Sequence, residues 1–388
     1  MRIAMLTYSV KPRGGVVHAL EVSEALARRG HRVELMALAR HDEELYRSPT
    51  VPLHVVRHVP PDAPFDERVQ AMLETYAHGL RPLLAAGGYD VVHSQDCLSA
   101  NAALELRDDG VIPHVIRTVH HVDDFTSPSL VECQDRSITG PDRVLCVSQP
   151  WVERLAHEFG RHAGLVRNGV DTSRFRPALD ARERNRDRER WELGDRFAVL
   201  TVGGIEPRKG SLTLARALTE LRRLVPERDP LLLVAGGITL FDYRHELERF
   251  EDLTRELDVA RHVRVLGAQP PEAIERLYRA ADAFAFPSVK EGFGLAALEA
   301  LAAELPVVAS DLDVFRTFLA DGVSALLTPT GDAGALARAL ARVAVDGELC
   351  ARLRAGGRPV AREYTWDAAA SAHERTYETF LTSEASVR

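Results

Sequence analysis

Residues 289–302, VKEGFGLAALEALA, set two carboxylates, Glu291 and Glu299, eight positions apart in an otherwise apolar run. After Gly294 the spacing is helical, with Leu295, Leu298, Leu301, Ala302 and Leu305 on one stripe. Glu299 falls within or beside that stripe. A carboxylate there is costly unless it meets a cation, a donor-rich pocket or a ligand hydroxyl. Glu291 precedes the helix, in a loop whose Gly292 and Gly294 expose backbone amides. One carboxylate on a loop and one on the helix beneath can grip a polyhydroxylated ligand at two places. The ordinary alternative is a core glutamate in a structural salt bridge.

Three further stretches carry chemistry. In VGGIEPRKGSLTLARAL (202–218), Arg208 and Lys209 precede a helix expected to start at Ser211. Cations at a helix N-terminus oppose the macrodipole, by a few tenths to ~1 kcal/mol, and a bound diphosphate reverses that sign. In SVKPRGGVVH (9–18), Gly14 and Gly15 open a helix and let backbone approach an anion. The pattern is not G-x-G-x-x-G, which argues against a nicotinamide site. In HVIRTVHH (114–121), His120 ends an apolar run ahead of Asp123 and Asp124, where an imidazole can hydrogen-bond a substrate oxygen or move a proton. The chain has only three lysines, Lys11, Lys209 and Lys290, and all fall in these glycine-bearing loops. Asp311-Leu312-Asp313 spells D-x-D, too short a pattern to assign a metal, and no metal or cofactor is expected.

Thirteen short apolar runs position these loops: 3–10, 32–38, 53–59, 90–94, 114–121, 143–148 and 164–168, then 197–204, 231–237, 263–267, 283–288, 307–310 and 325–329. Helical patterns lie between them. Alternating strands and helices make right-handed βαβ units with buried parallel sheets, and two series make two doubly wound Rossmann-like domains. Their sheets' carboxyl edges are expected to face a central cleft, where such sheets bind ligands. The boundary falls near the charge-dense stretch 172–196, read as a solvated linker or an exposed short helix. The tail, 363–381, is helical, with Trp366, Ala370 and Tyr377 on one stripe.

The bulk numbers agree. With 388 residues, 45% of them hydrophobic and 27% charged, the chain can bury two cores. A net charge of −8 argues against nucleic acid or an anionic membrane as partner. Cys97, Cys133, Cys146 and Cys350 have no metal-ligand spacing and read as buried free thiols in a reducing, cytoplasmic setting. The N-terminal MRIAMLTYSV reads as a first strand rather than a signal peptide, and no run is long enough to span a membrane.

The ordered set E-G-F-G-L-A-A-L-E, a G-G loop after the first strand, T-V-H at 118–120, V-R-N-G-V-D at 166–171 and P-R-K-G at 207–210 resembles the retaining glycosyltransferases of family 4. The resemblance covers nearly the whole chain. It implies a GT-B fold, with an acceptor-side domain at 1–172, a donor-side domain at 173–362 and a helix at 363–388 crossing back onto the first. It also implies metal-independent transfer from a nucleotide sugar (UDP-, GDP- or ADP-linked) to a small-molecule, lipid or glycan acceptor. Carried over by position, Glu291 would touch the donor sugar, with the amides of Gly292, Phe293, Gly294 and Leu295 on its hydroxyls and phosphate. Glu299 would hold the ribose, Lys209 and Arg208 the diphosphate, Gly14 and Gly15 would approach it, and His120 would sit near the reacting carbon. Catalytic roles thus go to Glu291, His120 and Lys209. The chain departs from the pattern at Gly203-Gly204, where the family has G-R, at Asp311–Val314 in place of D-x-G-G, and at V-R-N-G in place of V-I-P-N-G. The rival readings are an epimerase or hydrolase of the same fold and a non-catalytic sugar-nucleotide-binding subunit.

Overall fold

The computed structural model describes residues 1–125, 127–236 and 244–387. Strands lie on all thirteen apolar runs. In the first half they are β1 (Arg2–Thr7), β2 (Arg32–Arg40), β3 (Leu53–His58), β4 (Val91–Ser94), β5 (Ile116–Val119), β6 (Arg143–Cys146) and β7 (Gly164–Leu165). In the second they are β8 (Ala198–Val202), β9 (Leu231–Ala235), β10 (Val263–Gly267), β11 (Ala283–Phe286), β12 (Val307–Ser310) and β13 (Ala325–Thr328). Gly237, the last residue of the run at 231–237, lies outside the described residues. Every ladder is parallel, as expected of near-continuous apolar runs buried on both faces.

One sheet has the order β3-β2-β1-β4-β5-β6-β7 and the other β10-β9-β8-β11-β12-β13. In each the chain starts at a central strand, winds to one edge, then returns to build the other side. The order therefore reverses between β1 and β4, and between β8 and β11. A crevice opens outside the carboxyl ends of the strands at such a switch point. The loops after those four strands are the ones that carry Gly14 and Gly15, Gln95, Arg208 and Lys209, and Glu291. Beneath them the strands are rigidly packed. Leu6, Leu200 and Phe284 are fully buried, each stabilising the fold by about 1.5–3 kcal/mol.

The chain divides into two compact units, Met1–Asn168 with Trp366–Arg388, and Gly169–Thr365. The divisions lie a few residues from the 172/173 and 362/363 read from sequence. The reason is a local pairing: Val170 N donates to Tyr364 O (2.9 Å) and Val170 bridges Thr365, which draws both segments into the second unit. The C-terminal helix Trp366–Val387 belongs to the first unit and buries Trp366, Ala370, His373 and Tyr377. Arg29, at the end of the helix Gly14–Arg28, holds its Glu374 (2.6 Å).

The charge-dense stretch is not simply solvated. Ala181–Arg190 is a helix, and its Asp187 and Arg188 are buried. Asp187 pairs with Arg279 (2.7 Å), and Arg184 and Arg188 pair with Asp282 (2.6 and 3.0 Å). Alternating charge there encodes a docked face, which composition alone does not reveal.

Candidate active site

In the second unit, β8 runs into Gly203 and Gly204, a 3₁₀ turn at Pro207–Lys209 and the helix Ser211–Leu224. Gly210 joins turn to helix with φ of 68°, and a Cβ there would sit 2.0 Å from Pro287 O. Only glycine allows this loop to lie so close to the one after β11. Val289 N donates to Arg208 O (2.8 Å), which fixes the two loops against each other.

Their charged side chains then meet. Lys209 Nζ lies 2.5 Å from Glu291 Oε1, which also accepts from Ser288 Oγ (2.9 Å). Arg208 Nη1 lies 3.6 Å from Glu291 Oε2, and its Nε lies 2.9 Å from Glu206 Oε2. Glu291 and Lys209 side chains are 8% and 16% exposed, Glu206 only 6%, and Arg208 31%. Burial pushes the Glu291 pKa up, but Lys209 and Arg208 outweigh it and hold the carboxylate below its usual range. Lys209 also stands 5.0 Å from the Phe286 ring centroid, on β11. Val202, Gly203, Gly204, Lys209, Ser211 and Phe286 are among the residues lining a pocket at this sheet edge.

The loop 291–294 then turns into the helix Leu295–Ala302. Gly294 has φ of 105°, and a Cβ there would meet Phe315 at 2.6 Å. Phe293 is buried and stacks on Phe318, with centroids 5.1 Å apart. Its side chain anchors the loop, so only its amide is available to a ligand. Glu299 accepts from Tyr278 Oη (2.8 Å), and Tyr278 is itself buried. The donor demanded by a carboxylate on an apolar stripe is thus a tyrosine hydroxyl.

The first unit brings together Gly15 and His120. A Cβ on Gly15 would lie 3.3 Å from His120 Cδ2. Gly14, the first residue of the helix, is exposed. His120 Nε2 donates to Gln95 Oε1 (3.0 Å), leaving Nδ1 as the acceptor of the neutral ring. Behind His120 stand His18 (centroids 4.9 Å), then His373 (5.2 Å from His18) and His93 (5.6 Å from His373). His18 Nδ1 donates to Asn168 Oδ1 (2.6 Å), and His93 bonds Tyr377 Oη (2.6 Å) and Thr118 Oγ1 (2.8 Å). Burial holds His18, His93 and His120 well below the ordinary imidazole pKa, helped by neighbouring imidazoles and, at His93 and His120, by the charge of Arg117. His373 is lowered to about 4.

Sequence reasoning placed His120 but missed Gln95, His18, His93 and His373. A histidine inside VVHS, an otherwise buried run, was the available signal. It also missed Tyr278, Glu206 and Ser288. Lys11 and Arg13 have partners within the first unit: Lys11 lies 3.0 Å from Glu43, and Arg13 bonds the Tyr8 hydroxyl. Asp311 of D-x-D takes a bidentate pair with Arg316 (2.5 and 2.6 Å). Among the described residues no three His, Cys, Asp or Glu stand together as a metal site, and no helix is long and apolar enough to cross a membrane.

The family model described as Glycosyltransferase Family 4 matches residues 12–174, and that described as Glycosyl transferases group 1 matches residues 183–359. D-inositol 3-phosphate glycosyltransferase of Saccharomonospora viridis is 31% identical over 94% of this chain and 91% of its own. The chain belongs to glycosyltransferase family 4. The family 4 relative of the same name from Xylanimonas cellulosilytica is 32% identical over 96% of this chain and 95% of its own. Solved structures show the GT-B fold. Sucrose-phosphate synthase from Thermosynechococcus elongatus superposes with a TM-score of 0.82 at 23% identity, over 98% of this chain and 99% of that one. Anabaena HepE in complex with UDP-glucose gives 0.79 at 17%, over 98% and 100%. The family 4 chain is therefore a glycosyltransferase built of two Rossmann-like units.

Proposed function

We propose that the chain transfers a sugar from a nucleoside diphosphate sugar to a hydroxyl of a phosphorylated inositol, with retention at the anomeric carbon and without a metal. The observation that carries this reading is the buried Lys209–Glu291 pair at the β8/β11 switch point, with Arg208 beside it and the loop 291–294 leading into the helix bearing Glu299. The names of the inositol phosphate transferases, which align over nearly the whole chain, support the acceptor class. The HepE complex supports UDP-glucose as the first donor to test.

In this reading the departing diphosphate is stabilised by Lys209, Arg208 and the amides as its charge develops, a preorganised field of the kind that often dominates such barriers. Both oxygens of Glu291 already face cations, and its pKa is depressed, so it is a poor nucleophile. It orients the donor sugar, and a double displacement of the glycosidase kind is disfavoured. The acceptor hydroxyl then attacks from the face the diphosphate leaves, and a phosphate oxygen takes its proton. His120, held neutral with Nδ1 as acceptor, receives a hydrogen bond from a sugar hydroxyl.

A thermal-shift series with UDP-, GDP- and ADP-sugars, followed by turnover with inositol phosphate and with unphosphorylated inositol, tests the reading. A ligand at a hundred times its Kd adds about 2.7 kcal/mol of stability. Nucleoside diphosphate release that depends on inositol phosphate is expected, and it persists in EDTA. Equal release without any acceptor would identify a hydrolase, and binding without turnover a non-catalytic subunit. Activity abolished by EDTA and restored by Mn²⁺ would remove the metal-free mechanism.

A further inference from the structure

A second cluster of reactive side chains lies in the first unit, apart from the residues assigned to sugar transfer. Cys97 opens the helix Cys97–Asp108, and Cys133 lies in the helix Pro128–Thr139. The Asn101 amide nitrogen donates to Cys97 O and Cys133 O, both at 2.8 Å, and reaches Cys133 Sγ at 3.3 Å. One side-chain nitrogen thus ties the two helices together at the two cysteines. Cys146 and Cys350 are buried as the sequence suggests, but Cys97 and Cys133 are only half-buried, because each sits on a helix face rather than in a sheet core. Arg117, on β5, is 5% exposed, and its Nε and Nη1 have no hydrogen-bond partner. The groups that raise its charge preference include Asp96, Cys97, Cys133 and Cys146. A buried guanidinium short of acceptors favours a thiolate beside it. Accordingly, the neighbouring Cys97 thiol, together with Arg117 and against burial, holds the Cys133 thiol below its ordinary range.

The pair also joins the two supports of His120. Gln95, which accepts from His120, lies two residues before Cys97. Gln134, next to Cys133, bonds Asp123 in both directions, accepting from Asp123 N (2.8 Å) and donating to Asp123 O (3.0 Å), and so holds the loop that follows His120.

We propose that Cys97 and Cys133 are a redox-active pair that a peroxide closes to an intramolecular disulfide, and that closure displaces His120 through Gln95 and Gln134. The Cys133 thiolate attacks one peroxide oxygen, the O–O bond breaks and hydroxide leaves, giving a sulfenic acid. The Cys97 sulfur then attacks that sulfur, forming the S–S bond, and the sulfenic oxygen leaves as water. Two thiols are oxidised and one hydrogen peroxide is reduced to two waters. A thiol reductant reverses the step. The sulfurs must close to about 2.05 Å, a contraction that both helices have to follow. A misplacement of about 1 Å near reacting groups can cost 10²-fold in rate.

The test uses the full chain, freed of reductant and treated with hydrogen peroxide. Two of the four thiols should be lost, the mass should fall by two hydrogens, and a linked Cys97–Cys133 peptide should appear. Cys97→Ser should instead accumulate a dimedone-reactive sulfenic acid at Cys133, and Cys146→Ser should behave as the wild type. Four thiols remaining after treatment, or a linked peptide formed only in denaturant, would overturn the pair. These readouts need no transferase activity, so they stand or fall apart from the proposed function. With turnover measured alongside, the oxidised protein should lose about tenfold in kcat, dithiothreitol should restore it, and Cys97→Ser should resist the loss. A disulfide that forms without changing turnover would overturn the link to His120.

Discussion

Lys209 and Glu291 lie 2.5 Å apart at the carboxyl edge of one sheet, both ionised and both mostly buried. At the equivalent edge of the other sheet His18, His93, His120 and His373 crowd together, with centroid spacings of 4.9 to 5.6 Å, and all four are held neutral. Burial penalises charge at both edges. The second unit answers by pairing: Arg208 and Lys209 carry two positive charges, Glu206 and Glu291 two negative ones, so the cluster is neutral overall while every member stays charged. The first unit answers by shedding its protons. Groups that stay ionised but can exchange partners suit a ligand that brings its own charge. Neutral imidazoles of fixed tautomer suit hydroxyls.

The largest break in this comparison should come from unpairing the second unit. Lys209→Ala leaves Glu291 buried beside one distant guanidinium. Losing one partner of a buried ion pair costs about 3–5 kcal/mol, so chemical denaturation should show a loss of that order, and turnover should fall at least a hundredfold. Lys209→Met with Glu291→Gln should recover most of the stability and none of the turnover. A single variant as stable as the wild type would mean that the pair is not energetically coupled.

Acid should break the first unit. His373 has a folded pKa of about 4 against an ordinary value near 6.5. The unfolded chain therefore binds more protons between those values, so stability rises with pH there and is lost as pH falls. From pH 7 to pH 5 His373 alone should cost about 2 kcal/mol, and His18, His93 and His120 act in the same direction. Arg117, the one guanidinium shared by His93 and His120, adds to the repulsion once they protonate. The Glu291 pKa is depressed, so acid reaches the second unit at lower pH. Thermal unfolding followed from pH 7.5 to 5, with His373→Leu as control, checks this. A midpoint that does not move, or moves equally in His373→Leu, would refute it.

Glu299→Gln comes next, at about tenfold in nucleotide-sugar affinity if Glu299 holds the ribose, because Tyr278 would still donate to the amide oxygen while the carboxylate's charge is gone. One charged hydrogen bond of roughly 1.5 kcal/mol corresponds to that factor. Tyr278→Phe should cost less affinity and more stability. Titration calorimetry with the nucleoside diphosphate separates the two, and equal losses in both variants would contradict the division.

How much of this was legible in the chain follows from what is local. All thirteen strands were readable because parallel strands buried on both faces leave unbroken apolar runs, and the site loops because glycines and scarce lysines cluster directly after such runs. Glu299 announced its need for a donor through its stripe. That the donor is Tyr278, twenty-one positions earlier, depends on how the helices Pro271–Ala280 and Leu295–Ala302 pack. The histidine cluster was hidden for the same reason: residues 18, 93, 120 and 373 meet only once β4, β5, the first helix and the C-terminal helix are assembled. The helix Ala181–Arg190 misled in the opposite direction, since its buried Asp187 has the same composition as a solvated one.

The smallest and most discriminating effect concerns Glu206. The resemblance assigns Arg208 to the diphosphate, in a loop with Gly204 where the family has arginine. In the structure Arg208 is already held, by Glu206 at 2.9 Å and Glu291 at 3.6 Å. Glu206 is nearly buried and Arg208 about one-third exposed, so the guanidinium can turn toward a diphosphate while the carboxylate stays behind. Glu206→Gln would leave the cluster with one net positive charge. A unit charge about one guanidinium width beyond the phosphate, in solvent-like dielectric, is worth about 0.6 kcal/mol, or about threefold in affinity. UDP should therefore bind about threefold tighter to Glu206→Gln at low salt, with the gain shrinking as salt is added, while Arg208→Ala should bind about tenfold weaker. If Glu206→Gln instead weakens binding as much as Arg208→Ala does, at every salt concentration, Glu206 serves to aim the guanidinium rather than to restrain it. The neutral cluster would then be the state that receives the ligand.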